Sequence, residues 1–282
     1  MLEFTTGTFS WGDYIYRVFD RWIADSSGRL LVAETEGRVV GMTFVKLTKK
    51  GEVWFQGGRV DKDYRRTGVG RAMTEEGLRI AKQELKAKIA RAITDKTNLP
   101  PQKLMAKLGF NVVGEFTGFQ RNAERIRDPL IIKDVRIADK KQIPLIWKYL
   151  RSSRIFKESS GLYTIWFVWY SLEEEDLAQF TDMGRAAVYS PNGNVHGLML
   201  VDDSTVEAMN EKSMQSCYFD SDNPDGVRAL SNFLIDYAAQ KGLKTVRLWT
   251  YSDSKIIESL KQAGFTGDTD RSTEIVYSKL LK

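Results

Sequence analysis

Val60-Asp61-Lys62-Asp63-Tyr64-Arg65-Arg66-Thr67-Gly68-Val69-Gly70 joins a β-rich segment to an amphipathic one. Residues 53–60 have strand composition, and residues 71–86 carry Ala72, Met73, Leu78, Ala81 and Leu85 at roughly helical spacing. A strand therefore runs into a glycine-bearing turn that opens a helix. Glycines let successive backbone N–H groups face one hollow, and the helix N-terminus adds roughly half a positive charge there. Arg65, Arg66 and Arg71 raise the local potential further. This is the composition of a phosphate nest, although a plain tight strand-to-helix turn would use the same glycines. The turn is not the NTPase loop, because G-x-x-x-x-G-K-[ST] is absent. It is not the dinucleotide fingerprint either, since Met73 stands where that motif needs its third glycine.

Before this turn, residues 30–33 and 39–47 are β-rich runs with Gly37 between them, the pattern of a hairpin. After it, residues 89–94 read as a buried strand. Pro100 and Pro101 open a short helix, Gly109 ends it, and residues 111–116 return as a strand. The pattern then recurs. Residues 28–41, GRLLVAETEGRVVG, and residues 184–197, GRAAVYSPNGNVHG, share six identities at a constant offset of 156. Lys88/Lys244 and Arg91/Arg247 keep that offset, and Gly109-Phe110 matches Gly264-Phe265 at 155. Two copies of one fold in tandem explain this. The second copy reads as a strand (130–137), a helix (140–150), a hairpin, a strand, a helix (228–241), a strand (245–250), a helix (254–263) and a last strand (273–280). Each copy is α/β with a mixed sheet flanked by helices. The join lies in the charged stretch 121–129, which predicts domains at 1–125 and 126–282. The first copy lacks counterparts of the second copy's opening strand and helix, so it is expected to lack its first strand or to start at an internal point.

Composition narrows the function. The 282 residues are 42% hydrophobic and 28% charged, an ordinary globular balance. The longest aromatic-apolar run, 163–172, is too short to cross a bilayer, and the first residues lack the pattern of a signal peptide. A cytoplasmic location is the expectation, with no membrane partner. A lone Cys217 excludes an intrachain disulfide, and with a lone His196 it excludes a Cys- or His-rich metal site. The net charge of +5 is uneven. Residues 1–116 hold 20 Lys/Arg against 14 Asp/Glu, and the rest hold 22 against 23. An anionic partner at the first copy fits this excess, as do solvated surface cations. Nucleic acid ranks low, because arginines concentrate beside a phosphate-sized turn rather than interleaving with aromatics along a face.

Arg-x-x-Gly-x-Gly after a strand, then a helix, a strand, Asn-x6-Met-x3-Gly-Phe and a last strand, resembles the GNAT superfamily of acetyl-CoA-dependent N-acetyltransferases over about residues 9–120. The whole chain is similar in order and spacing to two-domain members with a degenerate second copy. The resemblance implies that backbone amides at 66–71 hold the pyrophosphate of acetyl-CoA. It places Arg59, Val60, Arg65, Arg66, Thr67, Gly68, Val69, Gly70, Arg71 and Asn98 against the cofactor, with Val60 on a splayed strand beside the pantetheine. Trp11, Asp13 and Tyr14 fall in the region bordering the acceptor, where plain packing would also account for them.

The departures bear on chemistry. Gln56 stands where many members carry a catalytic glutamate, and Met105 where many carry a tyrosine acid. Glu52 shares side-chain parity with Gln56 and is a weak substitute base; a solvent-facing strand end is its plainer reading. In the second copy the 156 offset lays Ser221-Asp222-Asn223-Pro224-Asp225-Gly226 over Arg65 to Gly70. Proline has no N–H to donate and the aspartates repel phosphate, so this copy is not expected to bind CoA. The expected activity is transfer of an acetyl group to the amine of a small molecule or peptide, with a non-catalytic CoA-binding or sensor protein as the alternative. A monomer is expected, with a dimer also open.

Overall fold

The computed structural model describes residues 3–5, 12–203, 213–267 and 273–282. The chain forms two compact units, Met1–Val112 with Val276–Lys282, and Val113–Ile275.

The first unit opens with α1 (Ile15–Ala24), followed by β1 (Gly28–Thr35), β2 (Arg38–Lys49), β3 (Glu52–Val60), α2 (Val69–Gln83), β4 (Ile89–Asp95) and α3 (Leu99–Lys107). The β1–β2 hairpin turns at Glu36 and Gly37, both at positive φ, the conformation that matches strand twist in a two-residue loop. β1–β2 and β2–β3 are antiparallel, and β3–β4 is parallel. α2 covers one face, where a Cβ on Gly77 would strike Phe55 and Val45. α1 covers the other, where Trp22 stacks on Phe44 at 4.9 Å. Burying such side chains contributes about 2 kcal/mol each.

The second unit continues with β5 (Asn111–Asn122), β6 (Val135–Ile137), α4 (Ile143–Ser152), α5 (Arg154–Glu158), β7 (Leu162–Ile165), β8 (Val168–Ser171), α6 (Glu174–Asp182), β9 (Ala186–Tyr189), β10 (Gly197–Asp202), β11 (Ser213–Ser221), α7 (Pro224–Gln240), β12 (Thr245–Tyr251), α8 (Ser254–Gln262), β13 (Thr266–Gly267) and β14 (Thr273–Leu280). Its sheet runs β5-β12-β11-β10-β9-β6, with β13 on β5. β11–β12 is the parallel pair. Leu230, Leu234 and Ile235 of α7 pack with Leu248 on one face. Ile146 and Leu150 of α4 and Leu177 of α6 pack with Leu198 on the other.

The series β9-β10-β11-α7-β12-α8 repeats β1-β2-β3-α2-β4-α3 in order and direction, so the mixed α/β duplication is seen in the fold. Both copies also keep a register shift in the strand pair before the first long helix, at Met42/Phe44 and at Leu200/Val201.

The structure differs from the sequence expectation in three ways. The strand expected over 130–137 is only β6, because Asp128 caps a 3₁₀ turn at Pro129–Ile131. The run 163–172 is a hairpin, β7–β8, turning on Trp166 and Phe167 at positive φ. The compact units also do not divide at 125. β5 follows the first copy in sequence but pairs antiparallel with β12 in the second unit. The end of β14 instead belongs to the first unit, beside β4, where Leu281 N–H donates to the Lys88 carbonyl at 2.8 Å.

Candidate functional site

The site is built where β3 and β4 part. Their parallel pairing covers Glu52 to Phe55 against Ile89 to Ala92, while β3 runs on to Val60 and β4 to Asp95. A bulge helps to free β3. Register passes from Phe44–Gln56 to Met42–Arg59, so Gly57 and Gly58 together oppose Thr43. Gly57 has φ +66°, and a Cβ there would lie 2.5 Å from the Trp22 ring. Only glycine meets both demands. The bulge also turns Arg59 onto the same face as Gln56, the face that α1 covers.

Beyond Val60 the chain is anchored before it becomes a nest. Asp61 is buried, caps the next turn through Asp63 N–H at 3.1 Å, and pairs with Arg38 at 2.8 Å. Arg38 thereby neutralises the carboxylate at the start of the β3–α2 connection. Arg65 Nε donates to the Val60 carbonyl and the Thr67 hydroxyl to the Tyr64 carbonyl, folding the loop on itself. Arg66 has φ +69° and Gly68, the N-cap of α2, φ +100°. No side chain caps α2, and the bond from Ala72 N–H to the Gly68 carbonyl comes first in the helix. The N–H groups of residues 69–71 therefore lack intrahelical acceptors. Nothing lies within 4 Å of the point where a Gly68 Cβ would sit. Uncapped donors, a positive helix end and open space fit a pyrophosphate. Arg66 is exposed at the rim, and Arg71 is held by Glu75 at 2.9 Å.

The walls follow. A Cβ on Gly70 would touch Val60 and Leu104, so α3 closes the nest's far side. Asn98 is the N-cap of α3; it is exposed, and its side chain makes no cap bond. Val60 and Leu104 thus flank Gly70, and the helix that bears Leu104 begins at Asn98.

Two expected residues have other duties. Arg59 does not face the cofactor side: its Nε lies 2.7 Å from Asp13 Oδ2 and its Nη2 3.1 Å from Oδ1. Asp13 also accepts Ile15 N–H, and the Tyr14 ring lies 5.7 Å from the Arg59 guanidinium. Asp13, Tyr14 and Arg59 are therefore one cluster beside Gln56. Glu52 sits at the closed end of the β3–β4 pair, buried and ion-paired with Arg91 at 2.6 Å. Four residues of strand separate it from Gln56, roughly 13 Å. That is too far to serve the same opening, and the solvent-facing alternative is also excluded by its burial. Trp11 lies outside the described residues. Sequence reading missed the bulge and Arg38. A Gly-Gly pair inside a strand was the available signal for the first; nothing local marks the second.

The second copy has lost the loop rather than changed its residues. Gly41 pairs with Val60 and Gly197 with Ser221, so Ser221 occupies the place of Val60, not of Arg65. Residues 61–68 connect β3 to α2, whereas residues 222–223 alone connect β11 to α7. A longer β10–β11 connection, 203–212 against 50–51, restores the overall offset of 156. The α7 N-terminus is already closed: Asn223 accepts Gly226 N–H at 2.8 Å, and Pro224 has no donor.

Among the described residues there is no cluster of His, Cys, Asp and Glu able to hold a metal, and no helix is long and apolar enough to cross a membrane. No curated protein matches the chain. Residues 2–110 match the acetyltransferase (GNAT) family model. Similar solved structures include a GCN5-related N-acetyltransferase from Sphaerobacter thermophilus, with 13% identity, a TM-score of 0.56 and coverage of 95% of this chain and 85% of that one. A chain from Thermoplasma acidophilum assigned as an acetyltransferase has 14% identity, a TM-score of 0.53 and coverage of 99% and 93%. These likenesses concern the fold along the whole chain, and the family match concerns the unit that carries the nest. The acetyltransferase (GNAT) match is thus to residues 2–110, and beyond them the chain is like these structures in fold.

Proposed function

We propose that the first unit is an acetyl-CoA-dependent N-acetyltransferase that moves an acetyl group to the amine of a small molecule or peptide by direct attack on the thioester. The observation that carries this is the uncapped α2 N-terminus, with Gly68 at φ +100° and open space before it. When bound, acetyl-CoA supplies an activated acetyl carbonyl. The chain's own residues do the rest. The amides of residues 66–71 hold the pyrophosphate. The open edge of β3 beyond Phe55 offers backbone groups without β4 partners to align the pantetheine and polarise the carbonyl. Asn98 steadies the arm from α3.

Gln56 can accept a hydrogen bond from the incoming amine or from water, but it cannot remove a proton at neutral pH. Asp13 is committed to Arg59 and Glu52 to Arg91. The rate then rests on positioning, which can lower a barrier by about 7–11 kcal/mol, and on oxyanion-type donors, about 3–4 kcal/mol. Attack by the amine would form the amide C–N bond and break the thioester C–S bond, and water would carry the amine's proton to the departing CoA thiolate, since Met105 has none to give.

Calorimetric titration with acetyl-CoA tests the reading. Wild type should bind, and Gly68→Pro should not, because proline fixes φ near −65° and removes an N–H. Absent heat with wild type, or equal affinity for the variant, would sink it. A second reading, a CoA-binding sensor without catalysis, is favoured by Gln56 and Met105 in place of acid–base groups. Thiol release across an amine panel separates the two.

A further inference from the structure

We propose that β1 is a homodimer edge, on which a second copy of this chain adds its own β1 antiparallel. The two internal copies differ most at this strand. In the second unit, β9 is paired on both sides: β10 on one, and β6 on the other through Val135–Tyr189, Arg136–Val188 and Ile137–Ala187. Val188 is wholly buried and shares a cluster with Ile146 and Leu150 of α4. A strand and a helix on one face therefore cover that edge. Among the described residues of the first unit, β1 pairs with β2 alone and ends its sheet. Val32, the counterpart of Val188, is 44% exposed. Beside it lies a cavity of about 470 Å³, lined by Phe19, Trp22, Ile23, Leu30 and Val32 and, on its polar side, by Asp25, Ser26, Gly28 and Arg29. Ile23 of α1 is 63% exposed.

The same surface carries a strand and a helix of the kind that cover the other edge. A two-fold axis normal to the sheet keeps both copies' faces aligned, so β1 and α1 of the second molecule arrive together on the required sides. They take the places that β6 and α4 take in the second unit. A register centred on Leu31 sets Leu30 opposite Val32 of the other copy. It also places the end bearing Arg29 beside the end bearing Glu34 and Glu36. β1 has four consecutive apolar residues, Leu30 to Ala33, and neither lysine nor proline; its charges, Arg29 and Glu34, and its bulge at Ala33/Glu34 lie at the ends of that run.

The inference is independent of acetyl transfer, and its test reads mass. Light scattering after gel filtration should give twice 32.2 kDa for wild type. Val32→Lys and Ile23→Glu should each give a monomer that still melts cooperatively, at a temperature that no longer rises with protein concentration, and with acetyl-CoA affinity within about twofold. Ile23 is exposed, so its variant should fold even if Val32→Lys does not. Hydrogen exchange should show β1 amides slow in wild type and fast in both variants. A wild-type monomer would overturn the proposal, as would a dimer that survives both substitutions. A monomer with slow β1 amides would also overturn it, because another segment of the same chain would then hold the edge.

Discussion

Arg59 grips Asp13 with two nitrogens, at 2.7 and 3.1 Å, across 46 residues of sequence. Both side chains are almost wholly buried, and Asp13 also receives the backbone N–H of Ile15. The pair ties the start of α1 to the strand just beyond the bulge, beside Gln56. It acts by positioning rather than by chemistry, since neither group is free to exchange a proton with an acceptor. Asp13→Asn should therefore cost about 3 kcal/mol of stability, because a buried guanidinium is left unpaired, and pairing it with Arg59→Gln should recover most of that loss. Urea denaturation measures both. If the wall borders the acceptor, KM for the amine should rise about tenfold while acetyl-CoA affinity stays within about twofold. Equal changes in both would assign the pair to general folding.

The rim cations should act by long-range charge. Arg66 is exposed at the mouth of the nest, and Arg71 is already held by Glu75. Arg66→Ala should weaken acetyl-CoA binding about threefold to tenfold at low salt, and Arg71→Ala less. Raising salt to about 0.5 M should shrink both differences, since screening shortens the reach of exposed charges. A salt-independent loss would point to a direct contact instead.

Much of this was legible in the sequence, and the reason is local. Gly37, Gly68 and Gly109 mark turns whose left-handed backbone only a few residues tolerate, so the elements between them could be read in order. What escaped reading depends on partners distant in sequence. The Arg59–Asp13 pair leaves no spacing signal. The exchange of β5 and β14 between units cannot be read locally, because a strand's composition does not name its neighbour. The β7–β8 turn carries Trp166 and Phe167 at positive φ, where glycine or asparagine would have announced it. The second copy was misaligned at 221–226 because a shorter β11–α7 loop and a longer β10–β11 loop nearly cancel, hiding both changes from a constant offset.

The second copy should bind no CoA, and its cap should matter only for stability. Asn223→Ala removes the acceptor for Gly226 N–H and should cost about 1 kcal/mol. Acetyl-CoA stoichiometry should be one per chain in wild type and variant alike. A second calorimetric site would contradict the closed α7 terminus.

Asp236 gives a pH dependence with a definite sign. Burial opposes its charge, but bonds from Ile126 N–H, Arg125 and Gln240 outweigh this and hold its carboxyl below the usual range. A depressed folded-state value stabilises above the unfolded value near 4, and that stability is lost as pH falls through the folded value. The stability gap between wild type and Asp236→Asn should be constant from about pH 7 to 5 and close below about pH 4. A gap that persisted in acid would show that the carboxylate's charge is not what stabilises.

The last strand should control a site far from it in sequence. Val276 and Tyr277 are buried, and the segment Val276–Lys282 belongs to the unit that carries the nest. Leu281 N–H bonds the Lys88 carbonyl just before β4, and Lys279 Nζ bonds the Leu108 carbonyl where α3 ends. β4 and α3 are the elements that form the splay and present Asn98. A chain ending at Ile275 should therefore lose acetyl-CoA affinity, although every residue of the nest remains. A milder variant keeps the test interpretable. Leu281→Pro removes one N–H at a half-exposed position, should cost about 1 kcal/mol, and should weaken acetyl-CoA binding less than truncation does. Hydrogen exchange should show β4 amides faster in both chains while β10 and β11 stay protected. Full affinity in the truncated chain would mean that the nest does not need the sheet behind it.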